Sequence, residues 1–307
     1  MTLKNQKYLF ERDFRELYNC RLFSFIKGYL SMNCFQIIKS ILDEEYDQIP
    51  GNEVEKDEQI NDKLKELRQE YTQLLNGHNI SYNNHITRFA YIYAYVTSHA
   101  NLVCTLIEKN SELNSIFDKE KVKVACIGGG PGSDFLGILK YLMTNQKKPD
   151  IKFQICDREK AWAESWSDVD DKVERTFNTS TSYLPLDVTN SNDWKNHQKY
   201  FQSDLFTMIY FMSEVVTLRE QANEYFVHLF SQAKPDSLFL FVDNNNPEFY
   251  DWFDELAEKH NIDIIKRKEE RMTVPFEEEK SDLGKYYFKF DSPKLTANVA
   301  YRIGQKK

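Results

Sequence analysis

Residues Val122 to Asp134 read V-K-V-A-C-I-G-G-G-P-G-S-D and constrain the fold more than any other stretch of the chain. A short β-branched run ends on four glycines, and an apolar helical pattern starts directly behind them. Strand, tight turn and helix in that order form a ligand-binding βα unit. Gly128, Gly129, Gly130 and Gly132 carry no Cβ, so the backbone there can turn sharply and approach a ligand closely. The helix start near Ser133 offers free N–H groups and the positive end of a helix dipole to an anionic or carboxylate-bearing ligand. The spacing G-x-G-x-G is not the dinucleotide G-x-G-x-x-G, and no Lys-Ser/Thr follows as in a P-loop.

The next segments repeat this layout. Residues 151–156 read as a buried strand ending at Asp157, where a carboxylate can accept from both hydroxyls of a ribose. Residues 182–186 form a weaker third strand, followed by Asp187-Val188-Thr189. Residues 205–212 read as a central strand followed by Ser213-Glu214, and 237–242 as a fifth ending at Asp243. Helical patterns lie between them at 134–144, 159–173, 193–201, 218–233 and 247–260. Such alternation predicts a parallel sheet covered on both faces, with a ligand outside the carboxyl ends of its strands. Asp157 and Asp187 are also what a turn or a helix N-cap selects, and Ser213 and Glu214 suit a helix N-terminus. Past His260, residues 263–274, 286–290 and 295–303 read as extended with no helix between them. The acidic run from Glu277 to Asp282 reads as a solvated loop.

On these residues the chain resembles the class I S-adenosylmethionine (SAM)-dependent methyltransferases. The resemblance spans 119–307 and implies an α/β fold: a seven-stranded, mostly parallel Rossmann-like sheet finished by an antiparallel hairpin. Residues 1–118 would then be a helical region on the acceptor side. The resemblance implies SAM as cofactor and S-adenosylhomocysteine as its spent form. It places the loop of Gly128, Gly129, Gly130 and Gly132 around the amino-acid end of SAM and Asp157 on the ribose. Asp187 and Val188 fall at the adenine, and Ser213 and Glu214 near the methyl donor. The family often has an acid two residues before the first glycine. Cys126 stands there instead, which leaves Asp134 or Glu214 to supply a carboxylate.

No Asn/Asp-Pro-Pro-Tyr/Phe follows the fourth strand, which counts against methylation of exocyclic or amide nitrogens. No Pro-Cys occurs, which counts against a cysteine route to cytosine C5. No residue is singled out as catalytic, because positioning carries much of the rate of an in-line methyl transfer. A SAM-binding sensor or scaffold without transfer is the alternative.

Before Lys119 the pattern is helical, at 10–26, 29–42, 53–75 and 86–107. Ile60, Leu64, Leu67, Tyr71 and Leu74 make one apolar stripe, and Tyr91, Tyr95 and His99 recur on neighbouring turns. The net charge is −8. The basic residues Lys266, Arg267, Lys268 and Arg271, and Arg12, Arg15, Arg21 and Lys27, are mixed with acids or spread along helices. No basic stripe for a polyanion stands out, so the acceptor stays open among small molecule, protein and RNA. No apolar run approaches a membrane span, and no signal-peptide core opens the sequence. Five scattered cysteines without a C-x-x-C pair, and dispersed histidines, suggest neither disulfides nor a metal site. A cytoplasmic setting follows, with a nuclear one also compatible.

Overall fold

A computed structural model describes residues 33–77, 80–173 and 175–307. The helix expected over 10–26, the first part of that over 29–42, Cys20 and the basic residues Arg12 to Lys27 lie outside the described residues.

Helices come first: α1 (Cys34–Gln48), α2 (Glu53–Glu70), α3 (His85–Tyr91), α4 (Thr97–Lys109) and α5 (Ser111–Ile116). A π-helical turn at Ile92–Val96 joins α3 to α4. Strands and helices then alternate. They are β1 (Lys121–Ile127), α6 (Ser133–Thr144), β2 (Asp150–Asp157), α7 (Trp162–Lys172), β3 (Thr179–Pro185), α8 (Ser191–Lys195) and β4 (Leu205–Ile209). After these come α9 (Met212–Val215), α10 (Arg219–Gln232), β5 (Leu238–Asn244), α11 (Pro247–Lys259), β6 (Ile262–Thr273), α12 (Lys285–Lys289) and β7 (Thr296–Lys306).

The seven strands form one sheet in the order β3-β2-β1-β4-β5-β7-β6. The first five are parallel, and β7 runs antiparallel between β5 and β6. Strand order reverses between β1 and β4, the place where a sheet of this kind opens a ligand crevice. All residues of β4 are buried, as expected for a central parallel strand covered on both faces.

The helical portion shares a core with the sheet. Phe89, Val96, Val103 and Ile107 belong to the same buried cluster as Phe135 and Leu139 of α6 and Val124 of β1. Each fully buried side chain of this size contributes roughly 1.5–3 kcal/mol. The stripe on α2 is real: Ile60, Leu64 and Leu67 are its buried residues, and Asn52 with Glu55 closes a capping box at its start. α4 and α6 meet at Gly137, where an added Cβ would strike the Ala100 carbonyl oxygen and lie 2.8 Å from Val103 Cβ.

Three expectations from the sequence need correction. The central strand ends at Ile209 rather than 212, because Tyr210 takes φ +56° and turns the chain into α9. The apolar run continues there because Tyr210 and Phe211 line cavities and Met212 packs in the core, not because the strand does. Residues 286–290 are mostly helical, in α12. Tyr286 and Phe290 lie four apart and stack on each other at 6.2 Å, whereas Phe288 between them is exposed. The alternation of that segment imitated a strand. The acidic run after β6 is partly buried. Glu278 accepts from the N–H groups of Cys34 (2.9 Å) and Phe35 (3.4 Å) and pairs with Lys140, so it caps α1 and ties it to α6.

Candidate functional site

The loop between β1 and α6 is fastened to β2. The Cys156 carbonyl accepts from both Gly128 N–H (2.8 Å) and Gly129 N–H (3.1 Å). Gly128 has φ +68°, and a Cβ there would run into the Phe211 ring. Gly130 has φ +47° and leaves only open space to the Asp157 carboxylate and the Trp162 indole, both near 4 Å. Backbone conformation thus demands glycine at both positions, and close approach demands it at Gly128 as well. Gly129 packs under the turn against Ile155, and Gly132 is the N-cap of α6 against Trp166.

Asp157 stands at the tip of β2. Its Oδ2 accepts from Gly130 N–H at 2.9 Å and its Oδ1 from Glu159 N–H at 2.9 Å. Burial raises its pKa to about 6, and the two N–H donors pull the other way. At the tip of β3, Asp187 Oδ1 accepts from Thr189 N–H (2.9 Å) and Oγ (2.6 Å) in an Asx turn. Val188 is buried beside it. Glu214 reaches the same place from α9. Its pKa is pushed up to about 8, first by desolvation in the cleft and then by the negative charges of Asp157 and Asp243. The side chain still meets solvent, which screens the effect.

These groups line one cleft over the ends of β1, β2 and β3: Gly128, Gly130, Asp157, Asp187, Val188 and Glu214, with Leu186 and Phe211 as apolar walls. Tyr82, Tyr91 and Trp162 close over it, their ring centroids 4.9–5.4 Å apart. The free space is about 70 Å³, below the few hundred of an ordinary ligand pocket, with these three rings packed over it. The polar complement suits a nucleoside: a strand-tip carboxylate, glycine backbone and a second acid beside an apolar wall.

A second cavity of about 730 Å³ adjoins the cleft over β4 and β5, with Tyr91 on the walls of both. Tyr91, Tyr95 and His99, noted in the sequence for their spacing, all line it. Ser213 belongs here and not to the first cleft. Its N–H donates to Asp243 Oδ2 (2.8 Å) and its hydroxyl to the Tyr210 carbonyl (3.2 Å). The sequence thus grouped Ser213 with Glu214, and the fold parts them. Asp134, a candidate to replace the acid missing at Cys126, is buried and accepts from the Thr207 hydroxyl of β4. It does not line the first cleft, whereas Glu214 does.

Tyr82, Trp162, Tyr210 and Lys294 line these spaces without having been singled out from the sequence. Tyr82 and Lys294 lie on connections with no periodic pattern, so no signal marked them. Two tyrosines also bridge the spaces: Tyr71 of the second cavity and Tyr82 of the first share a hydrogen bond of 2.6 Å, and Tyr82 donates to Glu214 Oε1 at 3.4 Å.

Residues 52–248 match the model of a family described as "Putative SAM-dependent methyltransferase". Comparison with curated proteins returned no match. Among solved structures, a "putative RNA methyltransferase" from Pyrococcus horikoshii is 14% identical, with TM-score 0.41 over 78% of this chain and 98% of that one. The 16S rRNA methylase ArmA is 10% identical, with TM-score 0.41 over 78% and 97%. A precorrin-6y C5,15-methyltransferase from Geobacter metallireducens is 11% identical, with TM-score 0.37 over 64% and 90%. These structural likenesses are too distant to carry a substrate across. The family match covers most of the chain, from α2 through the sheet core, and on it this chain belongs to the SAM-dependent methyltransferases.

Proposed function

We propose that SAM is held in the cleft over β1–β3 and that its methyl group is passed to an acceptor entering from the second cavity. The observation that supports this best is the meeting of three strand tips. The glycine turn after β1, Asp157 after β2 and Asp187-Val188 after β3 line one cleft at the switch point of the sheet. Asp157 would accept from the ribose hydroxyls, exchanging its bond from Gly130 for them. Val188 and Leu186 would lie against the adenine, with Asp187 accepting from its amino group. The loop of Gly128, Gly129, Gly130 and Gly132 would surround the amino-acid end, and Glu214 would face the positive end of the donor. Residues 119–307 then form the donor-binding domain and 1–118 the acceptor side.

When bound, SAM supplies an electrophilic methyl group on a positively charged sulfur. The chain's own contribution is orientation and exclusion of water by Tyr82, Tyr91 and Trp162. Glu214, Tyr82 bonded to it and Tyr71 bonded in turn to Tyr82 offer a path for a proton released by a protic acceptor. Calorimetric titration with SAM and with S-adenosylhomocysteine tests the donor site, and absence of binding by both at sub-millimolar concentration refutes it. Tritium transfer from labelled SAM into fractionated RNA, protein and small-molecule extract then names the acceptor class. Binding without transfer to any fraction would favour a sensor.

A further inference from the structure

The second cavity differs in character from everything around it. The chain carries a net charge of −8, and the first cleft is lined by Asp157, Glu159, Asp187 and Glu214 against one cation, Arg158, among the described residues. Among the described residues no aspartate or glutamate lines the second cavity, which instead holds Lys294 and Arg68. Rings form one side of its wall, beside the polar Asn244, Asn245 and Asn246. His99 stacks on Tyr210 with centroids 4.2 Å apart and on Tyr95 at 5.8 Å, and Tyr71 meets Tyr95 edge-on at 5.1 Å. Lys294 Nζ lies 4.7 Å from the centroid of Tyr210 and 5.7 Å from that of Tyr95.

On the basis of this wall chemistry, and resting on the donor site proposed above, we infer that the second cavity binds a planar aromatic group carrying negative charge. A flat ring is matched by the faces and edges of Tyr71, Tyr95 and His99. An anion is matched by Lys294. Arg68 is already engaged with Asp291 at 2.9 Å. Asp243 is the carboxylate whose charge Lys294 feels, but its two oxygens are taken by the N–H groups of Ser213 and Asn244, both at 2.8 Å. Desolvation lowers the Lys294 pKa, and an incoming anion would restore it.

Two further observations mark the place as more than core. Tyr210 holds a left-handed backbone conformation, φ +56°, that a bulky residue adopts only when the surroundings enforce it. The Nε2 of His99, a residue only 4% exposed, has no hydrogen-bond partner. A volume near 730 Å³ admits one or two rings with a charged substituent. The ring could belong to a free aromatic acid or to a nucleotide; both share the chemistry, and the test separates them.

Ligand-observed NMR on the full chain, with and without saturating S-adenosylhomocysteine, would use 4-hydroxybenzoate, indole-3-carboxylate and uridine 5′-monophosphate. Cyclohexanecarboxylate is the control that is charged but not flat, and 4-hydroxybenzyl alcohol the one that is flat but uncharged. Binding of at least one aromatic anion about tenfold tighter than both controls is expected, and which anion binds identifies the source. Lys294→Gln should lose that advantage and leave the alcohol unchanged, and Ser292→Trp at the exposed rim should block every probe. The inference is overturned if no aromatic anion binds at millimolar concentration, if the controls bind equally, or if a folded Lys294→Gln binds as the parent does. Failure of S-adenosylhomocysteine to bind would instead refute the donor site.

Discussion

Asp134 is expected to cost the fold stability at the pH where the enzyme works. Its carboxyl is 2% exposed at the start of α6, accepts from the Thr207 hydroxyl, and has its pKa raised by burial from 3.8 to about 7. The folded chain therefore holds this proton more tightly than the unfolded one. The associated stability is present in full below about pH 4 and is lost as pH rises toward 7, with no further loss beyond. The interval from 3.8 to about 7 corresponds to at most about 4 kcal/mol. The helix dipole favours the carboxylate at this position by roughly 0.3–1 kcal/mol, so the net figure is nearer 3 kcal/mol.

Asparagine keeps the shape of the neutral acid without its charge. Asp134→Asn should stabilise the protein by about 3 kcal/mol at pH 8 and by roughly 1.5 kcal/mol at pH 5. Asp243 is raised in the same direction, but it is present in both proteins and cancels. Urea unfolding followed by tryptophan fluorescence at the two pH values gives the numbers. A variant less stable than the parent at pH 8, or a difference that does not grow with pH, refutes the reasoning. Because Asp134 does not line the donor cleft, affinity for S-adenosylhomocysteine should change by less than about twofold.

Other expectations concern the two clefts and the helix contact beneath them. Asp157→Ala should weaken binding of SAM and of S-adenosylhomocysteine at least about tenfold by calorimetry while circular dichroism stays unchanged, and equal affinity would remove Asp157 from the ribose. Glu214→Gln should weaken SAM more than S-adenosylhomocysteine, since only SAM carries the sulfonium charge. In the parent that preference should grow as pH rises and Glu214 ionises, between its ordinary value and about 8 because solvent screens part of the upward shift. Gly137→Ala is a test of sign: helix propensity alone gives a gain of about 1 kcal/mol, but the new methyl meets the Ala100 carbonyl and Val103. Overpacking of about 1–3 kcal/mol should win, lowering the urea midpoint.

The sheet was legible because parallel strands write themselves as short buried runs, and the glycine turn and the acids after them fall at fixed places relative to the runs. The family match bears out the methyltransferase reading and SAM as its cofactor. The edges were harder. Nothing local separates a strand that continues past Ile209 from a turn that buries Tyr210 and half-buries Phe211. The apolar residues are the same, and only the neighbouring α4 decides, through His99. Likewise Tyr286 and Phe290 satisfy both a period of two and a period of four, and packing on Phe89 at 5.2 and 5.7 Å selects the helix. Glu278 looked solvated because its partners, Lys140 and the start of α1, are remote in sequence. The second cavity was half visible, as a spacing of rings on one helix, while Lys294 comes from a connection some two hundred residues away.

The π-turn at Ile92–Val96 lets the cavity wall carry one residue more than an ordinary helix would, because its wide turn absorbs the addition and α4 beyond it keeps its phase. Removing a single residue from that turn would return it to ordinary α geometry and leave His99 on Tyr210. The stretch between Tyr91 and His99 can therefore gain or lose one side chain while β1 to β3 and the cleft above them keep their sequence. A one-codon deletion there is thus a mutational step that would alter this wall of the second cavity alone.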